Sequence, residues 1–529
     1  MTESGSPQSS AIVVRDFGYR FVARDRPWLA DISCTIPRGV LVVVAGRTGS
    51  GKSTLLRALA GLIPHHAAGE MAGAIDLFGR DTRALGTQEL AATAGLVLQN
   101  PDEQICTTTV DSEIAFGLAN LGLPSGEIAR RSETWLARFG LSACRHQATN
   151  TLSGGQKQKL LLASILAMGP QLLLFDEPLA QLDPLAVHEL LGILDSLRRE
   201  GLTIVIAEHR LDDLLPRADR VLILDEGRLC ANCAAGEPRM ADALAATGLV
   251  ASGPMADASP RHRTDVNESP SIAVVEGLAA RVTRHAPPIW QDLNFQIRPG
   301  ERVAIVGPNG SGKSTLLHAL AGFLRPAAGK LEMIAAPPGE APLALVPQNP
   351  DLTLFCSTVD DELRFGPRQF GQSLAEIARR SREVAEKLAL QAVLQEAPLS
   401  LSQGQRLRIA VGAALTLRPR LLMLDEPTTG QDPQEAQRLL STIAQSIATG
   451  DVGAVLFTTH DLRIAARFAT RVLVLAGGRL LADGPPGELL DDAQLMRRAS
   501  LRSTEDDSAS EQPPRRFVAG REAAPGGAP

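Results

Sequence analysis

Gly46-Arg47-Thr48-Gly49-Ser50-Gly51-Lys52-Ser53-Thr54 recurs as Gly307-Pro308-Asn309-Gly310-Ser311-Gly312-Lys313-Ser314-Thr315. Each copy follows a short apolar, β-branched run (residues 41–45 and 302–306) and opens an apolar-periodic stretch (53–62 and 314–324). That succession predicts strand, glycine-rich turn and helix, twice over. The glycines let successive backbone N–H groups converge on phosphate oxygens, and the helix N-terminus adds the positive end of its dipole. Lys52 and Lys313 are then placed to reach the β- and γ-phosphates, and Ser53 and Ser314 to offer hydroxyls to Mg²⁺.

The repetition extends outward from these loops. Gln99-Asn-Pro-Asp recurs at Gln348, Ser153-Gly154-Gly155-Gln156 at Ser402-Gln403-Gly404-Gln405, and Asp176-Glu177-Pro at Asp425-Glu426-Pro, each displaced by 249 residues. His209 recurs as His460. Five blocks in one order mean a duplicated domain. The expected organisation is a first domain over 11–250 and a second over 272–495. A Pro-, Ser- and Asp-rich linker over 251–271 joins them, and a polar leader (1–10) and a Ser-, Glu-, Pro- and Gly-rich tail (496–529) are expected to be disordered. Further apolar runs at 172–175, 203–207, 421–424 and 454–458 read as buried strands, so each half is α/β with a mostly parallel sheet.

The acidic pairs end two of those runs. A carboxylate at a strand's C-terminal end faces the phosphate crevice of such a sheet. Asp176 and Asp425 are the candidates for holding hydrated Mg²⁺, and Glu177 and Glu426 for polarising an attacking water. Alone, an acidic pair could equally cap a helix. His209 and His460 follow the next strand at matching distances and suit a γ-phosphate contact. Ser153 and Ser402 open predicted helices whose N-termini are second anion sites. One nucleotide per half but two phosphate-reading helix ends per half suggests that the second end serves a facing domain's nucleotide, although Gly-Gly before a helix also reads as a plain cap.

The 529 residues carry a net charge of −6, with 44% hydrophobic and 3% aromatic residues. Acidity and scarce aromatics disfavour a nucleic-acid binder. No apolar run reaches the roughly 18 residues that span a bilayer, and residues 1–10 lack a signal-peptide pattern. The expectation is a cytosolic chain whose membrane role comes through partners. The six cysteines, including one lone Cys230-Ala-Asn-Cys233, read as reduced thiols.

Together these blocks resemble the ATP-binding-cassette (ABC) ATPases over nearly the whole chain. The resemblance implies two tandem P-loop NTPase domains, each with an antiparallel β subdomain and a helical subdomain beside its parallel core. It also implies two ATP and Mg²⁺ per chain, bound head to tail. Lys52's ATP would meet Ser402–Gln405, and Lys313's would meet Ser153–Gln156. Gln99 and Gln348 match glutamines that touch Mg²⁺ and report to a transport partner, and Asp183 and Asp432 match the D-loop aspartates. An aromatic ring under the adenine is usual; Phe21 or Tyr19 fits in the first half, and no equivalent exists in the second.

The text after each glutamine, Gln99-Asn-Pro-Asp-Glu-Gln-Ile with Thr109–Gly117 and Gln348-Asn-Pro-Asp with Thr358–Gly366, is similar to energy-coupling factor (ECF) and cobalt importer ATPases. That implies a transmembrane scaffold docking beside the glutamine, a small membrane protein capturing a vitamin or metal ion, and a place on the cytoplasmic face of the cell membrane. A soluble double-cassette ATPase acting on ribosomes or DNA is the alternative, disfavoured by the short, neutral linker and the overall acidity. Gln403 stands where the first half has Gly154, so the two sites are expected to be competent but unequal.

Overall fold

The computed structural model describes residues 10–22, 27–179, 182, 184–209, 211–247, 249, 270–281, 288–337, 340–499 and 501. The expected leader lies outside the described residues except Ser10. The linker does so except 270–271, and the tail from 502 onward. Asp183 also lies outside them.

Three fully buried parallel strands carry the site of each lobe. In lobe 1 these are β1 (Leu41–Gly46), β2 (Leu172–Asp176) and β3 (Thr203–Glu208). In lobe 2 they are β4 (Arg302–Val306), β5 (Leu421–Asp425) and β6 (Ala454–Thr458). One face of each sheet packs on helices and the other on the phosphate-loop helix and a flanking antiparallel sheet, which is why these runs are continuously apolar rather than alternating. Each six-stranded sheet is parallel except for one antiparallel edge strand, Arg228–Ala234 in lobe 1 and Arg479–Gly484 in lobe 2. In both sheets the strand that leads to the phosphate loop pairs with the one that precedes the histidine (β1 with β3, β4 with β6).

A separate antiparallel sheet flanks each core, with four strands in lobe 1 and three in lobe 2. The helices that bear the repeated motifs are α1 (Lys52–Leu59), α2 (Gly154–Ala167) and α3 (Pro184–Arg199) in lobe 1. Their lobe 2 counterparts are α4 (Lys313–Leu320), α5 (Gln403–Thr416) and α6 (Pro433–Ala448), followed by α7 (Leu462–Phe468).

Two expectations shift. The helices after the phosphate loops stop at Leu59 and Leu320, short of 62 and 324, because Gly61 (φ 73°) and Gly322 (φ 79°) turn left-handed just beyond them. The second lobe also runs past 495: a helix over Ala493–Arg498 buries Leu495 and Met496, and Ala499 and Leu501 complete the same core. Apolar side chains there override the polar composition that predicted a tail from 496.

Candidate functional site

Gly46 ends β1 with its Cα against the neighbouring strand. A Cβ there would meet Ser50 Oγ and stand 2.6 Å from the Leu224 carbonyl, so only glycine fits. Gly49 (φ 81°) and Gly51 (φ 99°) take left-handed conformations that curl the loop, as do Gly310 and Gly312 in lobe 2. The Lys52 ammonium lies across the curl and donates to the Gly46 (2.8 Å) and Arg47 (3.1 Å) carbonyls. Lys313 does the same to Gly307 (2.7 Å) and Pro308 (3.1 Å). The Ser50 and Ser311 hydroxyls are buried in their loops and have no hydrogen-bond partner among the described residues. Polar groups so placed call for an anion in the loop.

The acidic pairs meet these loops. Ser53 Oγ donates to Asp176 Oδ1 at 2.9 Å. Burial, and then the Glu177 charge, push the Asp176 carboxyl up to about 6, against the Ser53 hydrogen bond and the Lys52 and Arg57 charges. In lobe 2 the Asp425 carboxyl is likewise raised, first by burial, against hydrogen bonds from Thr458 (2.6 Å) and Ser314. A hydroxyl and a buried carboxylate beside a second carboxylate form a hard-oxygen set short of positive charge, which fits Mg²⁺.

Glu177 (φ 48°) and Glu426 (φ 52°) are both held in the left-handed region, where a side chain is strained by about 1–3 kcal/mol. The strained turn is pinned by hydrogen bonds from Glu177 N to the Ala207 carbonyl (2.9 Å) and from Glu426 N to Thr458 Oγ1 (3.0 Å). Glu177 accepts from Gln99 Nε2 (3.2 Å) and lies 3.6 Å from Lys52 Nζ and 3.5 Å from His209 Nδ1. Burial alone would raise its carboxyl, but the His209 and Lys52 charges outweigh that and hold it below the ordinary range. Glu426 is lowered in the same way, by His460 (Nδ1 to Oε2, 2.9 Å) and Lys313 against burial. Gln348, unlike Gln99, stands exposed.

Sequence reasoning missed Glu208. It is fully buried, and its carboxylate accepts from His209 N (2.9 Å) and Leu179 N (3.1 Å), tying the histidine loop to the segment after the acidic pair. Lobe 2 has Thr459 at that position.

Ser153 and Ser402 do cap α2 and α5. Each hydroxyl accepts from the backbone N–H three residues on (3.3 Å), and Gln156 and Gln405 reach back to close the capping boxes. The cap reading is therefore correct locally, but it does not exhaust the segment. Thr48 N donates to Asp432 Oδ2 at 3.3 Å across the two lobes, and a Cβ on Gly404 would lie 3.7 Å from Thr48 Cγ2. Gly430 brings the side chains of Gln99 and Gln403 to one spot, each within 3.5 Å of where its Cβ would be. The lobe 1 phosphate loop thus faces the Ser402–Gln405 segment. A Cβ on Gly154 or Gly155, in the segment expected to meet the lobe 2 nucleotide, would meet nothing within 4 Å. Of the two candidate rings, Tyr19 is core (1% exposed, donating to the Ala68 carbonyl). Phe21 packs edge-on against Tyr19 and Trp28 at the end of its strand and is half-buried.

The model of the ABC transporter family matches residues 29–180 and 290–429. The chain belongs to the ABC transporter family. A "Putative ABC transporter ATP-binding protein" of Methanosarcina acetivorans is 36% identical over 93% of this chain and 87% of its own length. A "Putative HMP/thiamine import ATP-binding protein YkoD" of Bacillus subtilis is 33% identical, covering 93% and 94%. A solved chain, cbiO1 from Clostridium perfringens, described as part of the ABC transporter complex cbiONQ, is 30% identical over 45% of this chain and 94% of its own, with a TM-score of 0.40. This ABC protein is a double-cassette, ATP-binding ATPase of a transporter. Relatives with transporter names do not favour the ribosome or DNA alternative. No helix among the described residues is long and apolar enough to cross a membrane.

Proposed function

We propose that this ABC ATPase drives an ECF-type importer, taking up a vitamin or metal ion through a separate transmembrane scaffold and a small capture protein at the cytoplasmic face of the cell membrane. The observation that carries the engine is the cross-lobe contact of Thr48 with Asp432 beside Gly404. Two ATP molecules sit at the seam, each seated on one lobe's phosphate loop and closed by the other lobe's Ser402–Gln405 or Ser153–Gln156 segment. Because such a nucleotide bridges both lobes, it stabilises the closed state over the open one.

Within each site the chain's own residues divide the work. The curled backbone and Lys52 or Lys313 bind the β- and γ-phosphates. Ser53 and Asp176, or Ser314 and Asp425, would hold Mg²⁺, which would neutralise phosphate charge when bound. Gln99 orients the attacking water against Glu177, whose depressed carboxyl is ionised and ready to accept a hydrogen bond from it. Glu426 plays that part in lobe 2, with Gln348 as the matching glutamine. His209 and His460 hold the glutamates and reach toward the γ-phosphate, Asp432 braces the opposite phosphate loop, and Phe21 offers its ring to the adenine.

The import reading is supported by the relative named for HMP/thiamine import and by an apolar surface near the second glutamine. Leu352 and Phe355 there are 77% and 65% exposed, and the Phe355 ring packs edge-on at 4.7 Å against the partly exposed Phe365. Lys52→Ala combined with Lys313→Ala is expected to abolish ATP hydrolysis by the purified chain, and persistent hydrolysis would overturn the site. Capture from solubilised membranes is expected to bring down an integral scaffold protein; ribosomal proteins in its place would overturn the import reading.

A further inference from the structure

The two histidine loops carry a charge inversion. After His209 the chain reads Arg210-Leu211-Asp212, and after His460 it reads Asp461-Leu462-Arg463. Asp212 and Arg463 are equivalent positions, each three residues past its histidine, and in the folded chain they pair with each other across the lobes. Equivalent positions that touch mark a pseudo-two-fold axis. On such an axis two copies of lobe 1 would bring Asp against Asp, and two copies of lobe 2 Arg against Arg. Only lobe 1 against lobe 2 gives opposite charges.

The pair is also close to the chemistry. Arg463 lies in the first turn of α7, whose N-cap is Asp461: the Asp461 carboxylate accepts from Arg463 N at 2.9 Å and lies 3.4 Å from its Nε. His460, one residue earlier, bonds Glu426, while His209 lies against Glu177. Leu211 and Leu462 are buried and anchor the two loops in their own cores.

We propose that Asp212 and Arg463 form a charge key on the pseudo-two-fold axis, which selects lobe 1–lobe 2 pairing and ties the two histidine loops so that closure at one catalytic site positions the histidine of the other. These are positioning residues: they act through His209 and His460. The inference rests on the head-to-tail reading of the seam. Both side chains are partly solvated (70% and 40% exposed), so the key acts through complementarity and repulsion more than through stabilisation, and salt screens it.

The test uses the full chain and three variants: Asp212→Arg, Arg463→Asp, and both together. In about 50 mM salt each single change places like charges on the axis. Saturating ATP turnover is expected to fall roughly 3-fold and the Hill coefficient for ATP to drop toward one, with the thermal unfolding midpoint unchanged. The double exchange restores opposite charges and is expected to recover both rate and cooperativity, and near 0.5 M salt the single variants should converge on the parent. Single variants that match the parent at low salt, or a double exchange no better than the worse single, would overturn the key. Ser402→Arg separates the two readings. If it abolishes hydrolysis while the charge variants behave as the parent, only the key fails; if it leaves hydrolysis intact, the seam itself fails.

Discussion

At the scale of single residues the two catalytic glutamates share a strained backbone but not their company. Glu177 has Gln99, Lys52 and His209 around it and the buried Glu208 beside the histidine. Glu426 has His460, Lys313 and Thr458, while Gln348 is exposed. Glu177→Gln is therefore expected to reduce ATP turnover at least about 100-fold, and Glu426→Gln by a smaller factor, in steady-state assays of the full chain. Equal losses would contradict unequal sites. Cys34 gives an independent test of packing. Its thiol is buried, and burial pushes it up to about 11 against the Arg220 charge. The thiolate that reacts with alkylating agents is scarce until the pH approaches that value. At pH 8 the exposed Cys106 and Cys230 are expected to label and Cys34 to stay unmodified in the folded chain. Rapid labelling of Cys34 would contradict the lobe 1 core.

The phosphate loops and acidic pairs were legible in the sequence because their chemistry depends on short spacing along the chain. Lys52 and Ser53 need only a curl and a helix start. Glu208 was not legible, since a glutamate next to a histidine at a strand end looks like any solvated pair until the strand is seen to be fully buried. Asp432 was found by resemblance, but its contact with Thr48 joins residues 384 apart, a separation at which no local pattern operates.

At the scale of elements, the segments opening α2 and α5 serve two purposes. Ser402 satisfies a free N–H at the start of α5 and so fixes where that helix end points. Ser402→Ala is expected to lower stability by about 1 kcal/mol in denaturant unfolding and to weaken nucleotide binding by the chain with Lys313→Ala, where the Lys52 site alone remains. An unchanged affinity would show that the α5 N-terminus does not touch that nucleotide. The fold's elements were read correctly where period and burial agree, as in β2 and β5. The boundaries slipped where a left-handed glycine ended a helix early, or where Met496 and Leu501 found a core pocket that composition did not announce.

At the scale of the whole molecule, the duplicated lobes have diverged on their outer faces as well as at the seam. Phe355, exposed in lobe 2, aligns with Cys106 in lobe 1, and Leu352 with Glu103. A scaffold with one apolar helix would therefore prefer lobe 2. Phe355→Glu is expected to reduce recovery of the chain with solubilised membranes several-fold without moving its unfolding midpoint, whereas full recovery would remove this surface from the docking face. The seam is the part on which transport depends, and it is measured most directly by solving the structure of the Glu177→Gln, Glu426→Gln chain with ATP and Mg²⁺. The expected result is two nucleotides, with the γ-phosphate on Lys52 within hydrogen-bond reach of Ser402 and Gly404, and that on Lys313 within reach of Ser153 and Gly155. Nucleotides seated on their own loops with both of those segments facing water would contradict it.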